Sequence, residues 1–347
     1  MKRVVIGISG GVDSSVSAVL LKQQGYEVIG LTFIFTDDFD PIDAIRVCEK
    51  LNIEHHIVDY RDEFKKIVID SFINDYKRGV TPNPCVLCNK EVKFNFLYQK
   101  MLEYNCDYIS TGHYAKIIDG QLYKSEDLNK DQTYFLAQLS NEQLSKLLLP
   151  LEGITKDRVR KIAKENDLIN ADRKDSTDVC FITSNFKDYM NNNINTEVGN
   201  VIDVESKKII GKHNGLSKYT IGQRRGLNIG GTDSRMFVVG KDIDKNILYV
   251  ALGGDNEYLL SDSCIIENVN FNISKYPTKC TAKFRYRSSE YPVTLEYLDN
   301  NQILVKYDKI KSVTPGQVCV FYDGNKCIGG GLIKTVCKDN KKLWYIL

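Results

Sequence analysis

The sequence predicts an α/β fold: a doubly wound, mostly parallel sheet, then a small β-rich middle domain and an antiparallel β-barrel. Short apolar runs alternate with helical segments up to about residue 110, and such alternation favours a parallel sheet covered by helices. After the asparagine-rich stretch 191–195, which we interpret as a linker, short glycine-punctuated strands dominate. A chain of 347 residues also exceeds one ordinary core. We therefore expect domains over 1–195, 196–258 and 259–347.

The elements of the first domain follow from hydrophobic periodicity. Thr155 is a suitable N-cap for a later helix, because its hydroxyl can accept from a backbone amide of the first turn. Ligands of such sheets bind beyond the carboxyl ends of the strands, so the loops there are the first place to look for a site. The expected strands are 4–8, 28–35, 54–58 and 108–111, and the expected helices are 13–24, 41–51, 61–77, 89–104 and 156–166.

Composition sets broad limits on the function. No apolar run approaches the roughly 20 residues of a membrane span, and the first residues do not resemble a secretory signal, so we expect a cytoplasmic protein without a membrane partner. Most of the ten cysteines lie among apolar residues, and we expect Cys48, Cys106, Cys264 and Cys319 to be buried. Residues 261–347 hold 13 Lys and Arg against 8 Asp and Glu, an excess that suits phosphate contacts or a solvated surface.

An anion-binding loop is predicted where strand 4–8 runs into Ser9-Gly10-Gly11-Val12-Asp13-Ser14-Ser15 and a helix. The glycines allow a tight turn that exposes amide groups, the serines add hydroxyl donors, and the helix start adds positive dipole. Asp13 is placed either to hold magnesium or to cap the helix. The lysine-bearing Walker loop is absent. A simple glycine-containing helix cap is the alternative interpretation.

Three cysteines differ from the others. Cys85 and Cys88 follow two prolines and stand near the expected start of helix 89–104, where the helix dipole favours thiolates. A CxxC pair can also be a redox couple or half of a zinc site, but no second CxxC completes a four-cysteine site. Cys180 ends the polar loop Lys174-Asp175-Ser176-Thr177-Asp178-Val179 and precedes Phe181.

Family resemblance enters with these motifs. SGGVDSS looks like the pyrophosphate loop of the ATP pyrophosphatases, which adenylate a carbonyl oxygen. In order, SGGVDSS, TPNPCVLCNKEVKF, TGHYA, KDQTYFL, KDSTDVCFI, GLSKYTIGQRRGLNIGG, YRS and TPGQ resemble the bacterial tRNA 2-thiouridylases over essentially the whole chain. The resemblance implies ATP with magnesium, adenylation of the O2 of a wobble uridine, and sulfur attack at C2. It assigns ATP contacts to Gly7, Ile8, Ser9, Gly10, Gly11, Val12, Asp13, Ser14, Phe33 and Gly112.

The resemblance also assigns the sulfur chemistry. Cys88 matches the family nucleophile and Cys180 the persulfide carrier, which a sulfur donor, a cysteine desulfurase or a persulfide relay protein, would load. Many members that resemble this chain have Asp where Cys85 stands, and cysteine is a much weaker acid. The three thiolates offer an alternative, a [4Fe–4S] cluster with one open iron, and ligand softness favours it modestly over the persulfide route.

Contacts to tRNA are implied in two ways. The resemblance assigns Asn83, Pro84 and Cys85 to the target base. In the stretch 283–287, basic and aromatic residues alternate, so a strand there would place Lys283, Arg285 and Arg287 on one face, suited to a phosphate backbone or to solvent. The remaining expected tRNA contacts are His113, Lys130, Asp131, Gln132, Tyr286 and Gln317.

Two other functions stay open at this point. Another adenylating ligase, a nitrogen-transfer or lysidine-type synthetase, would need the phosphate loop but none of the three cysteines. A non-enzymatic RNA-binding or iron–sulfur protein would need no phosphate loop. Tyr219–Gly231, with Arg224 and Arg225 among its glycines, is a further loop expected to face tRNA.

Overall fold

The amino-terminal sheet has five parallel strands in the order β3–β2–β1–β4–β7. The computed structural model describes residues 1–173, 179–182, 185–194, 196–227 and 235–346. The four strands expected from the sequence are present within one or two residues at their ends, which confirms the parallel sheet. Its strands are β1 (Arg3–Gly7), β2 (Glu27–Ile34), β3 (Glu54–Asp59), β4 (Tyr108–Ser110) and β7 (Leu147–Leu148).

Helices cover this sheet, and two of the long helical segments change their winding part-way. A π-helical turn at Lys65–Ile69 joins the helices Arg61–Phe64 and Asp70–Lys77. Another at Cys88–Lys93 joins the helices Pro84–Leu87 and Phe94–Glu103. The helical segment that contains this second turn begins at Pro84, five residues before the start expected at residue 89. The helices are α1 (Val12–Gln23) and α2 (Ile42–Leu51), then α3 (Arg61–Phe64) and α4 (Asp70–Lys77), α5 (Pro84–Leu87) and α6 (Phe94–Glu103), α7 (Thr133–Leu136), α8 (Asn141–Ser145), α9 (Lys156–Glu165) and α10 (Phe186–Asn193).

The middle part of the chain forms a four-stranded sheet in the order β10–β11–β8–β9. Its strands are β8 (Val198–Asp203), β9 (Ile209–Asn214), β10 (Met236–Asp242) and β11 (Ile247–Leu252), as the β-rich middle domain required. A 3₁₀ turn, Leu216–Lys218, follows β9. Residues 228–231 of the expected loop Tyr219–Gly231 lie outside the described residues.

The carboxyl-terminal strands close a six-stranded antiparallel barrel, because β12 pairs with both β15 and β17. This confirms the antiparallel barrel expected in the carboxyl-terminal part of the chain. Many of its buried side chains, including Cys264 and Cys319, form a core cluster with residues of the middle sheet such as Val239 and Tyr249. The strands are β12 (Leu260–Phe271), β13 (Lys279–Lys283), β14 (Tyr291–Leu298), β15 (Gln302–Lys311), β16 (Val318–Asp323) and β17 (Lys326–Lys338), with a short β18 (Lys341–Lys342) beside β17 and a 3₁₀ turn, Glu257–Leu259, before β12.

The structure adds one element that the sequence analysis did not predict and corrects one expectation. A hairpin, β5 (Lys116–Ile118) and β6 (Gln121–Tyr123), interrupts the helical region, and β6 pairs with β17 of the barrel. The asparagine-rich stretch is not a linker up to Asn193, because α10 continues through it. Asn185 caps this helix by accepting from the Lys187 amide at 2.9 Å, and Met190 is fully buried beneath it.

Buried apolar side chains connect the amino-terminal sheet to the barrel. One core cluster includes Val5 and Leu97 of the amino-terminal part together with Val318 and Tyr322 of β16. Cys48 is buried as expected, whereas Cys106 is only half-buried. In the parts of the chain that the structure describes, no helix combines the length and apolarity needed to cross a bilayer.

Candidate active site

The loop between β1 and α1 has the geometry of an anion cradle. Gly10 has φ of 73°, a conformation that favours glycine, and the turn leads directly into α1. The Ser14 hydroxyl donates to the Gly11 carbonyl at 3.0 Å, and the Ser9 amide donates to the Ser14 oxygen at 3.3 Å. These contacts fold the loop around the amino end of a twelve-residue helix, where amides and dipole favour an anion.

Gly112 lies against this loop more closely than any other residue type allows. A Cβ on Gly112 would stand 2.6 Å from the Ser14 nitrogen and 2.7 Å from the Asp13 carbonyl carbon. Gly112 follows β4, the strand beside β1, so the carboxyl ends of two neighbouring strands meet here. The sequence-predicted loop and Gly112 therefore form one continuous backbone surface.

Asp13 is held by residues that the sequence analysis missed. The Lys156 ammonium lies 2.6 and 2.7 Å from the two carboxylate oxygens of Asp13, and the Tyr114 hydroxyl donates to one of them at 2.7 Å. Asp13 lies in the first turn of α1, whereas Gly11 occupies the N-cap position, and no side-chain cap bond is present there. The capping alternative is therefore wrong, and Asp13 instead fixes a cation beside the loop. Lys156 stands 143 residues away, so no local pattern could have paired the two.

Asn170 and Arg173 complete the surroundings of the loop. The Asn170 amide donates to the Gly10 carbonyl and to the Ser15 hydroxyl, both at 2.8 Å. Arg173 donates to the same carbonyl at 3.1 Å and pairs with Asp43 at 2.7 Å. Two cations, Lys156 and Arg173, therefore lie beside the loop, each paired with a carboxylate.

Phe33 lies at the carboxyl end of β2, but its ring faces other aromatic rings. It is 9% exposed, stacks on Phe35 at 5.4 Å and tilts against Tyr60 and Phe96 at 5.6 and 6.4 Å. Phe33 is a core residue at the border of the site, and its contact with adenine stays a prediction.

Cys85 and Cys88 lie at the beginning of a helix, as predicted. The Asn83 side chain accepts from the Val86 amide at 3.3 Å, and Pro84 occupies the first helical position, where its missing N–H leaves no carbonyl unpaired. Cys88 opens the π-helical turn that ends at Lys93. Turns of this kind occur frequently at functional sites.

The three predicted thiols come together, with Lys93 beside them. Cys180 lies within electrostatic reach of both Cys85 and Cys88, and the Lys93 charge acts on all three. Cys88 is buried, whereas Cys85 and Cys180 are exposed. Residues 174–178, which precede Val179 and Cys180 in the predicted motif, lie outside the described residues.

Burial favours the protonated form of all three thiols by raising the pKa of each, which opposes the thiolates expected from the helix start. Burial raises the pKa of Cys88 to about 11, and Lys93 opposes this only in part. Desolvation by the surrounding protein also raises the pKa of Cys85 and of Cys180, although both residues are exposed. The short first helix therefore does not outweigh desolvation.

The metal expectations do not fit the described residues. Nowhere in those ranges do three or more His, Cys, Asp or Glu side chains form a group that could hold a metal ion, and this covers the three thiols. Two carboxylates lie at the phosphate loop, and both are already in ion pairs. Asp13 pairs with Lys156, and Asp43 pairs with Arg173. We therefore derive no step through an iron–sulfur cluster or through protein-bound magnesium.

His113 connects the phosphate loop to the thiols. It directly follows Gly112, and its ring lies 5.6 Å from that of Phe94, the residue after Lys93. Burial, and then the Lys93 charge, hold the pKa of the imidazole well below its ordinary value. The ring is thus neutral, with Nδ1 2.8 Å from the Thr111 hydroxyl, and can contact RNA through hydrogen bonds but not as a cation.

Of the predicted triplet Lys130, Asp131 and Gln132, two members face inward. The Asp131 carboxylate is 5% exposed and accepts from the Ser125 amide and the Thr133 hydroxyl, and burial raises its pKa. Gln132 accepts from the Tyr114 amide at 2.9 Å and so fixes the loop that carries His113. Lys130 is the member whose chemistry still suits a phosphate.

The predicted basic strand face at 283–287 is not formed, because β13 ends at Lys283. Arg285 turns inward and donates to the carbonyls of Ile221 and Ser312 at 2.9 and 2.8 Å, and to the Thr314 hydroxyl. Tyr286 packs against Phe135 with ring centroids 4.3 Å apart, whereas Arg287 is exposed. Arg285 therefore joins the barrel to the middle part of the chain.

Gln317 holds the segment that precedes the predicted base-binding residues. Its amide nitrogen donates to the carbonyls of Thr81 and Pro82 at 2.9 and 3.3 Å. A Cβ on Gly316, whose φ is 89°, would stand 2.2 Å from a Val80 methyl group. The barrel thus positions the chain just before Asn83, Pro84 and Cys85.

Matches to known proteins cover most of the chain. Three family models match in succession: "tRNA methyl transferase HUP domain" over residues 2–184, "tRNA methyl transferase PRC-barrel domain" over 187–252, and "Aminomethyltransferase beta-barrel domain" over 261–333. Among solved structures, a 4-thiouridine synthetase–RNA complex with bound ATP has a TM-score of 0.35 at 21% identity, covering 52% of this chain and 44% of that chain.

Full-length relatives are much more similar. The tRNA-specific 2-thiouridylase MnmA of Mycoplasmopsis synoviae is 46% identical, with 99% of each chain covered. The protein of the same name from Bacillus subtilis is 44% identical over 99% of this chain and 98% of its own. With such identity along the whole length, this chain belongs to the tRNA-specific 2-thiouridylase family.

Proposed function

We propose that this chain is an ATP-dependent tRNA-uridine 2-sulfurtransferase that acts on a wobble uridine. One observation carries the proposal: consecutive residues join the two halves of the site. Gly112 lies against Ser14 of the phosphate loop, and His113 lies beside the helix that carries Cys88. A base placed near this loop would have an activating phosphate on one side and sulfur on the other.

The first step is activation of the base. The uridine O2 attacks the α-phosphorus of ATP, pyrophosphate leaves, and O2 becomes part of an adenylate. The amides at the start of α1, with Lys156 and Arg173 beside them, are arranged to bind the phosphates. Magnesium would enter on the ATP phosphates, since the nearby carboxylates are already paired with cations.

The second step is sulfur transfer. Cys180, exposed and therefore accessible to a sulfur-donor protein, carries a persulfide whose terminal sulfur bonds to C2 as AMP leaves with the former O2. Cys88 then attacks the Cys180 sulfur, so that a Cys88–Cys180 disulfide forms and the 2-thiouridine is released. An external thiol reductant restores the two cysteines. Cys85 has no obligatory part in this sequence.

RNA contacts are proposed for the residues at the border of the site. Asn83, Pro84 and Cys85 would meet the target base, with the neutral His113 ring as a hydrogen-bonding neighbour. Lys130, Arg287 and Gln317 would contact the surrounding tRNA. The base must leave its stack, which costs little in an unpaired loop.

Mass analysis of tRNA nucleosides tests the function in the cell. Deletion of the gene should abolish 2-thiouridine at the wobble position, and the intact gene should restore it. Unchanged 2-thiouridine with loss of a different modified nucleoside would favour the other adenylating ligases instead.

A further inference from the structure

A polar groove lies where the barrel meets the β5–β6 hairpin and α8. It has a volume of about 540 Å³, and it shares no residue with the phosphate loop or the three cysteines. Its lining is rich in side-chain amides and includes two lysines. The lining residues are Gln121, Asn141, Asn272, Ile273, Ser274, Lys275 and Lys326.

One lining residue has a hydrogen-bonding atom without a partner. Asn272 is 1% exposed, and its amide oxygen accepts from Asn270 at 3.1 Å. Its amide nitrogen is buried and has no hydrogen-bond partner within the described residues. Such an atom costs free energy unless a ligand or water satisfies it. The groove is thus incomplete as it stands.

Two exposed aromatic rings lie on the same barrel, and one of them directly follows the groove residue Lys275 in the chain. Tyr276, directly after Lys275, is 60% exposed, and Tyr297 of β14 is 41% exposed. Their rings stack with centroids 5.8 Å apart and planes 18° apart, and the Phe271 ring also stacks with that of Tyr276 at 4.9 Å. Two solvent-facing tyrosines on a rigid barrel present a flat π surface on which a base can stack.

The charges favour a nucleic acid. Lys275 and Lys326 form no ion pair with any carboxylate in the described ranges. Amide side chains donate and accept at once, as base edges require, and lysines suit phosphates. The β5–β6 hairpin also links the groove to the proposed tRNA surface, since it begins at Lys116, three residues after His113, and reaches the groove at Gln121.

We propose that this groove, with Tyr276 and Tyr297 at its edge, binds an unpaired nucleotide of the tRNA at a position other than the target uridine. The inference rests on the proposed function, because it takes tRNA as the ligand. The base stacks on Tyr276, the side-chain amides that line the groove meet its edge, and Lys275 and Lys326 meet its phosphates. This second contact would help select tRNA over isolated stem-loops.

Binding of full-length tRNA by the whole chain tests the proposal, measured by fluorescence anisotropy at several salt concentrations. Tyr276→Ala should weaken binding about tenfold, the usual loss of one base stack, while Tyr276→Phe should bind normally. Lys275→Glu should weaken binding and lower the slope of log affinity against log salt by about one. Lys309→Glu, an exposed lysine on β15 of the same barrel, is the matched control and should change affinity less than twofold.

Three outcomes separate the possibilities. If Tyr276→Ala and Lys275→Glu bind tRNA as Lys309→Glu does, the groove is not an RNA site. If they bind tRNA normally but lose thiolation only when sulfur comes from a donor protein and not from free sulfide, the groove binds that protein, and the proposal is overturned. If the unaltered protein does not bind tRNA, the proposed function itself fails, which is a separate result.

Discussion

The Lys156 ammonium contacts both carboxylate oxygens of Asp13, at 2.6 and 2.7 Å, and so brings a buried cation from the start of α9 to the phosphate loop. Lys156 is 9% exposed. A buried charge pair of this kind is costly to break, since one partner is left uncompensated. The pair therefore joins two distant parts of the chain and places a cation next to the loop proposed to bind ATP.

Lys156→Met should lower tRNA-dependent AMP formation about 100-fold, the order expected when one charge that stabilises a transition state is lost. Release of pyrophosphate from ATP in the presence of tRNA measures this. Lys161→Met, an exposed lysine on the same helix, is the matched control and should be unchanged. Affinity for tRNA should be the same in both variants. Equal AMP formation in both would show that Lys156 has no part in the ATP step.

Substitution of the three cysteines distinguishes the persulfide mechanism from the iron–sulfur cluster mechanism. Cys88→Ser and Cys180→Ser should each abolish thiolation of tRNA, whereas Cys85→Ser should keep most of it, because no described metal group requires Cys85. All three variants should still form the adenylate. Protein purified without oxygen should be free of iron. About four irons per chain, lost together with activity in Cys85→Ser, would instead establish the cluster route.

Arg285 and Arg287 should behave differently although they are two residues apart. Arg285→Met should destabilise the fold by about 3 kcal/mol, since three buried acceptors lose a charged donor. Arg287→Glu should leave the melting temperature unchanged and weaken tRNA binding about threefold, with a lower salt slope. Thermal unfolding and tRNA titration check both. If the Arg285→Met variant is stable but binds tRNA poorly, Arg285 contacts RNA rather than holding the fold together.

The buried Lys241 makes the stability of the folded chain depend on pH. Its ammonium is 4% exposed and donates to the Gly79 carbonyl at 3.1 Å, and burial lowers its pKa from 10.5 to about 7. Between these two values the unfolded chain binds a proton that the folded chain does not, so this lysine makes stability rise with pH. The contribution is at most about 1.4 kcal/mol per pH unit.

Comparison with Lys241→Met isolates this contribution from that of other groups. The unaltered protein should gain stability relative to the variant as pH rises from 7 to 10, measured by denaturant unfolding at each pH. A constant difference between the two proteins over that range would mean that Lys241 keeps its proton in the fold.

Local patterns in the sequence predict the parallel sheet, the barrel and the phosphate loop, since strand periodicity, glycine and helix start are properties of neighbouring residues. They do not predict the partners of Asp13 or the inward turn of Arg285, because Lys156 and Ile221 come from distant parts of the chain. The asparagines up to Asn193 were predicted to form a linker because their composition is typical of turns. They belong to a helix instead, because tertiary packing that buries Met190 stabilises a helix there. The thiol pKa was misjudged because desolvation depends on packing rather than on helix position.

The most direct test of the proposed reaction follows the oxygen atom that leaves. Purified protein is incubated with ATP, a sulfur source and a tRNA whose uridines carry ¹⁸O at position 2, and AMP and nucleosides are analysed by mass spectrometry. The account predicts one labelled AMP for each 2-thiouridine formed, because O2 leaves as part of the phosphate. Unlabelled AMP, or labelled AMP without 2-thiouridine, would contradict it.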